Sequence, residues 1–154
     1  PTVLPVLLIM ISFIGGCAGS TGGGMKVIRI LLLFKQGKSE IMRLIHPNAQ
    51  FAVKLGKNPV DNRILEAVWG FLSAYIAVFI VMLLILMATG IDQVTAYSAV
   101  AATLNNLGPG LGEVAQNYSS INEFSKVVLC LGMLLGRLEI FTLLVIFTPV
   151  FWQR

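Results

Sequence analysis

From Ile64 to Thr89 the chain reads ILEAVWGFLSAYIAVFIVMLLILMAT, 26 residues with one charged side chain, Glu66. A helix needs about 20 mostly apolar residues to cross a bilayer's hydrocarbon core, where each backbone polar group must be paired within the segment. The stretch therefore predicts a membrane-spanning helix. Val127 to Trp152 (VVLCLGMLLGRLEIFTLLVIFTPVFW) passes the same length test. A third stretch, Val3 to Phe34, is long enough only if the insert GGCAGSTGGGMK, Gly15 to Lys26, counts as part of it. Composition agrees with lipid as the solvent: 56% of residues are hydrophobic and 12% charged, and the mean hydropathy is +0.86, too apolar for an ordinary soluble domain. No basic segment precedes the first apolar run as in a signal peptide, and the start at Pro1 points to a piece of a longer protein.

Charge placement sets the orientation. Eight of the eleven basic residues (Lys26, Arg29, Lys35, Lys38, Arg43, Lys54, Lys57, Arg63) fall between the first apolar stretch and the second, and short loops rich in Lys and Arg stay on the cytoplasmic side. The chain then crosses outward along 64–89 and returns along 127–152. The segment between is external at both ends, with Asp92, Glu113, Glu123 and Lys126 as its charges. The basic residues reflect this bias rather than a docking site, and no nucleic-acid partner is expected. His46, beside Pro47, reads as structural, and Trp69 and Trp152 fit interfacial anchoring. Cys17 and Cys130 lie far apart in apolar surroundings, without metal or disulfide spacing, and read as packing residues.

The external connection begins as a helix. DQVTAYSAVAATLNN has Asp92 as N-cap and no Gly or Pro until Gly108, which predicts a helix over 92–106, too short and too mild to span. NLGPGLG then ends it, with Gly108, Gly110 and Gly112 around Pro109. Helix, glycine-punctuated stretch and return to the same side describe a re-entrant pore loop, whose carbonyl oxygens can replace an ion's hydration shell. An interfacial amphipathic helix with a glycine turn fits the same order of segments, and the residues alone leave both open.

Two further features stand out. Glycine, serine and threonine are packed into Gly15–Gly24 so densely that a helix is disfavoured there. A phosphate-binding loop fails on spacing, because Lys26 follows Met25 and precedes Val27. A patch of small residues for helix packing is the simpler alternative, although the glycines exceed what one such contact needs. Arg137 is charged near the middle of its span, where a charge costs roughly 2.5 to 3.5 kcal/mol and faces a cavity or a partner. Glu139, two positions on, lies on a different face, so the two are not simply each other's salt bridge. Lys26 either pairs with a carboxylate elsewhere or snorkels to the interface. Ser/His/Asp groupings, clustered carboxylates and metal-ligand spacing are lacking, so the chain is read as no enzyme.

GGCAGSTGGGMKVIRILLLF, HPNAQFAVKLG, AVWGFLSAY, ATLNNLGPGLG and GRLEIFTLLVIFTPVFW, in this order and over essentially the whole chain, resemble the C-terminal part of proteins of the TrkH/KtrB/HKT superfamily. That resemblance implies an all-α membrane protein in which four repeats of outer helix, pore loop and inner helix surround one pore. Residues 1–34 are then the inner helix of the third repeat, broken at 15–24, residues 35–63 a cytoplasmic connection, and 64–154 the fourth repeat. The fourth repeat has its outer helix at 64–89, pore helix at 92–106, filter at 106–112 and inner helix at 127–152. The filter contribution falls on Asn105, Asn106, Leu107, Gly108 and Pro109, about one quarter of the ring.

The family further implies that Gly15, Gly16, Ala18, Gly19, Ser20, Thr21, Gly22, Gly23, Gly24 and Lys26 form an intramembrane gate loop below the filter. It also implies that Arg137 is a fixed charge at the pore and Glu139 a structural one. The expected activity is K⁺ uptake down its gradient, with Na⁺ or Rb⁺ conducted comparably or less well. Potassium at the filter is the only metal expected, and no cofactor. Expected partners are membrane lipid, the missing N-terminal repeats of the same protein, a cytoplasmic nucleotide-binding regulatory subunit of the TrkA type and a second copy in a homodimer, in the bacterial inner membrane. A proton-coupled symporter working by alternating access, or a non-conducting assembly subunit, are the rival readings.

Overall fold

The structure, a computed structural model, describes residues 3–17, 22–46, 53–56 and 58–138. In chain order these form α1 (Val3–Ser12), α2 (Val27–Ile45), the strands β1 (Lys54–Leu55) and β2 (Asn58–Pro59), α3 (Asn62–Ala88), α4 (Gln93–Leu104), a single 3-10 turn (Gly112–Val114) and α5 (Glu123–Arg137). The strands pair antiparallel, Lys54 opposite Pro59 and Leu55 opposite Asn58, in a small hairpin between α2 and α3.

Side-chain caps start three of the helices. Asp61 accepts the Arg63 N–H at 3.3 Å, Asp92 the Val94 N–H at 3.1 Å and Asn122 the Ser125 N–H at 2.9 Å. Each pairs an amide that the first helical turn leaves without an intrahelical acceptor. Asp61 moves the start of α3 to Asn62, two residues before the expected outer helix, and Asn122 moves the start of α5 to Glu123, before the expected 127. At 27 residues with a mean hydropathy of 2.8 in its most apolar window, α3 is long and apolar enough to cross a membrane, the single such helix among the described residues. The described part of α5 closes at Arg137, where the Leu138 N–H bonds the Leu134 carbonyl. The remainder of the expected 127–152 helix lies outside the described residues.

The largest departure from the sequence reading is α2. The connection expected from residue 35 is helical through Ile45, where His46 caps the helix with its N–H on the Met42 carbonyl. One face of α2 lies on the start of α3: Leu32 is buried with Val53, Leu65 and Val68, the Arg29 guanidinium stacks 4.0 Å from the centre of the Phe71 ring, and the Trp69 indole N–H donates to Gln36 Oε1 at 2.7 Å. Trp69 therefore has a partner in the protein, beyond the interfacial role expected of it.

At the centre is α4. Thr95, Ala96 and every residue from Ser98 to Leu104 are buried, packed between α3 and α5 with α1 at the far end. The exposed residues of α4 are Gln93 and Val94 of its first turn, with Tyr97 half-buried. Close approach replaces bulk in its packing. A Cβ on Gly136 would run into the Leu104 carbonyl, and one on Gly132 into the Met82 side chain, with Thr103 Oγ1 3.4 Å away. Where lipid surrounds a bundle there is little hydrophobic drive between helices, and small residues four apart gain van der Waals contact instead.

Candidate functional site

The chain leaves α1 at Ser12 and enters α2 at Val27 with the two limbs of the intervening loop pinned together. The Met25 N–H donates to the Phe13 carbonyl at 3.2 Å and the Val27 N–H to the Gly16 carbonyl at 3.1 Å. Backbone lies directly on backbone here: a Cβ on Gly15 would sit 2.6 Å from the Gly23 carbonyl oxygen. On its other side Gly23, buried, meets the end of α4, where an added Cβ would sit 2.6 Å from the Asn105 carbonyl oxygen and 2.8 Å from Asn106 Nδ2.

Asn105 caps α4, its N–H on the Ala101 carbonyl, and Asn106 follows with φ of 53°. The Leu107 N–H reaches back to the Ala102 carbonyl at 2.8 Å, and Gly108, with φ of 101°, turns the chain away. The return limb is held by hydroxyls of α4. Ser98 Oγ accepts the Leu111 N–H at 2.8 Å, and Thr95 Oγ1 accepts the Glu113 N–H at 3.5 Å. From the loop beyond, the Tyr118 hydroxyl donates to the Gly108 carbonyl at 2.8 Å. Burial raises the Tyr118 phenol above its ordinary value of 10, so it remains a donor at neutral pH.

These parts meet in one cavity of about 330 Å³, lined by Ile11, Ser12, Gly15, Gly16, Gly22, Gly23, Asn105, Asn106, Leu107 and Arg137. Glycines of the loop stand on one side of it and the α4 terminus on the other. Arg137, in the last turn of α5, supplies a fixed positive charge, placed where a helix C-terminus favours a cation. A second, apolar groove of about 450 Å³ runs between α1 and the glycine turn, past Pro5, Leu8, Leu107, Pro109 and Leu111.

The whole chain, residues 1–154, matches the family model TrkH, described as a cation transport protein. The chain belongs to the TrkH family. It is 63% identical over 154 residues to the Trk system potassium uptake protein TrkH of Escherichia coli strain K12, covering 100% of this chain and 32% of that protein. It is 41% identical over 153 residues to the potassium uptake protein TrkG of the same strain, again covering 32% of the relative. The crystal structure of the potassium transporter TrkH from Vibrio parahaemolyticus superposes with a TM-score of 0.92 at 61% identity, covering 99% of this chain and 33% of that one. The chain thus spans about a third of the length of the relatives it matches. Membership of the TrkH family makes this a mostly helical membrane protein of a transport family rather than an enzyme.

Of the site residues expected from the resemblance to TrkH-type proteins, Gly15, Gly16, Gly22, Gly23, Asn105, Asn106, Leu107 and Arg137 come together at the cavity. Gly108 and Pro109 do not line it; Pro109 faces the apolar groove and the Gly108 carbonyl already accepts from Tyr118. Gly24 packs on Gly15, and Lys26, with φ of 66°, stands at the N-cap of α2. Ala18, Gly19, Ser20, Thr21 and Glu139 lie outside the described residues. The sequence reading missed three residues. Tyr75 and Ser12 hold the Asn105 side chain between them, and Tyr118 braces Gly108. None carries a local signal, since each is defined by a partner remote in sequence.

Proposed function

We propose that the chain forms part of a potassium uptake protein, supplying the third inner helix and the fourth helix–pore loop–helix repeat of a four-repeat pore in the bacterial inner membrane. The observation that carries this is the cavity in which the glycine-rich loop, the end of the buried helix α4 and Arg137 converge. Potassium uptake is what the names of the relatives state. Non-helical backbone at membrane depth is tolerated where it is buried in protein or lines a watery cavity, and α4 with its glycine turn has that form. Asn105, Asn106 and Leu107 line this cavity, and in this reading their carbonyls face the cation once the loop has moved away; Gly108 sets the direction of the turn.

In this reading the loop whose Gly23 lies against Asn105 and Asn106 obstructs the path below the filter, and Arg137 limits how many cations occupy it. A cytoplasmic nucleotide-binding subunit of the TrkA type shifts the loop between arrangements, and the whole protein works as a homodimer. Parallel K⁺ and Na⁺ uptake by the full-length protein carrying Gly108→Ser tests the filter. A side chain is strained at φ of 101°, so the preference for K⁺ over Na⁺ falls; an unchanged ratio overturns the assignment. Single-channel steps, which an alternating-access symporter does not give, separate a pore from a carrier.

A further inference from the structure

Asn105 is buried, with 7% of its surface exposed, and its carboxamide joins three helices. Nδ2 donates to Ser12 Oγ on α1 at 2.9 Å and Oδ1 accepts from the Tyr75 hydroxyl on α3 at 2.5 Å. The polarity of this chain of bonds is determined. Ser12 has one hydroxyl proton, which goes to the Ile9 carbonyl at 2.6 Å, so Ser12 can only accept from Asn105. The amide nitrogen must then face Ser12 and the amide oxygen Tyr75, whose hydroxyl donates.

The same residue meets the glycine-rich loop at both ends. Ser12 lies at the entry, with its carbonyl accepting the Gly15 N–H at 3.0 Å, and Gly23 on the exit limb rests on the Asn105 carbonyl. On the other side Asn105 is followed directly by Asn106, Leu107 and Gly108.

We propose that Asn105 is a positioning residue through which rearrangement of the glycine-rich loop alters the turn after α4, so that opening by the regulatory subunit and discrimination between cations are coupled. This rests on reading the loop as gate and the turn as filter. A buried polar network has few satisfied arrangements, because each broken bond strands a partner in a medium of low dielectric. A loop that moves Ser12 therefore forces Asn105 to follow or to lose a bond, and one that moves Gly23 removes the backbone contact on the Asn105 carbonyl. Apolar packing alone would let the loop slide without this consequence.

The test is K⁺ and Na⁺ uptake by the full-length protein, with and without its regulatory subunit, normalised to protein in the membrane, for Tyr75→Phe, Ser12→Ala and Asn105→Leu, with Gly108→Ser as reference. Tyr75→Phe and Ser12→Ala are each expected to change the K⁺ to Na⁺ ratio about threefold to tenfold, and the gain from the regulatory subunit by a similar factor, as loss of one buried hydrogen bond implies. Asn105→Leu should exceed both. If it inserts poorly, Tyr75→Phe, which removes a single oxygen, carries the test. A merely structural role lowers both uptakes together and leaves ratio and gain unchanged. Ratio and gain within about twofold of the parent in both Tyr75→Phe and Ser12→Ala, with the ratio altered in Gly108→Ser, overturn the coupling alone. An unaltered ratio in Gly108→Ser as well overturns the filter reading and the coupling with it.

Discussion

In the 15–26 loop, glycines stand where backbone meets backbone: Gly15 against Gly23 and Gly24, and Gly23 against Asn105. In the turn after α4, Gly108 has nothing within 4 Å of the position its Cβ would take and is required instead by its φ of 101°. Both segments look alike in sequence. Gly23 serves by the absence of volume and Gly108 by the freedom of its dihedral, while Gly15 and Gly24, with φ of 69° and 84°, combine both, so the same substitution should break Gly23 and Gly108 differently. A side chain at Gly23 pushes a neighbour away; at Gly108 it strains only its own backbone.

The largest expected effect comes from removing the contact altogether. Deleting Ala18 to Gly23 in the full-length protein should give K⁺ uptake independent of the regulatory subunit, on the order of tenfold or more above the unstimulated parent, because a gate biased by a partner is bistable within a few kcal/mol. Uptake no higher than the parent's, with the partner response intact, would leave the loop as helix packing alone. Next comes the direct comparison. Gly23→Ala places a methyl 2.6 Å from the Asn105 carbonyl oxygen, and overpacking of this kind costs about 1–3 kcal/mol. It should raise partner-independent uptake about tenfold. Gly108→Ala, strained by about 1–2 kcal/mol in its dihedral, should lower the K⁺ to Na⁺ ratio while the partner still stimulates uptake.

A smaller change is expected at Arg137, which shares the cavity with the loop and not with Gly108. Removing one positive charge beside a cation path in a partly screened site is worth about 1 kcal/mol or more, so Arg137→Ala should raise K⁺ flux per inserted molecule about fivefold. Loss of inserted protein without that gain would assign Arg137 to bundle packing. Tyr118→Phe should have the least effect. It frees the Gly108 carbonyl of one hydrogen bond, worth about 0.5–1.5 kcal/mol net, and should alter the K⁺ to Na⁺ ratio about twofold to threefold while loop-dependent gating stays as in the parent.

Much of this arrangement was legible along the chain. The apolar run after Arg63 fixed α3, and Asp92 with the glycines from 108 fixed both ends of α4, because caps and turns depend on residues adjacent in sequence. The extent of α2 was not legible: Lys35, Gly37 and Lys38 look like loop. What keeps them helical is contact with α3 and the hairpin, including the Lys35 ammonium on the Lys54 carbonyl at 2.7 Å. Tyr75 and Ser12 were invisible for a similar reason. Each sits inside an apolar run, and their shared partner Asn105 lies 30 residues from one and 93 from the other. The roles given to Asn105–Leu107 and Arg137 came from family resemblance; spacing alone left a re-entrant loop and an interfacial helix equally open, because both place a short helix and a glycine turn between two spans.

The burial of α4 also bears on how the sequence can drift. A surface helix changes freely on its outer side, but from Thr95 to Leu104 only Tyr97 is not fully buried, and its ring packs edge-on to Phe79 at 5.6 Å. A methyl gained on α4 must be matched by one lost on the helix it faces, and at Gly132 and Gly136 of α5 there is nothing left to remove. Tolerated replacements in this helix should therefore arise as compensating pairs with α3, where Met82 and Phe79 still have volume to give.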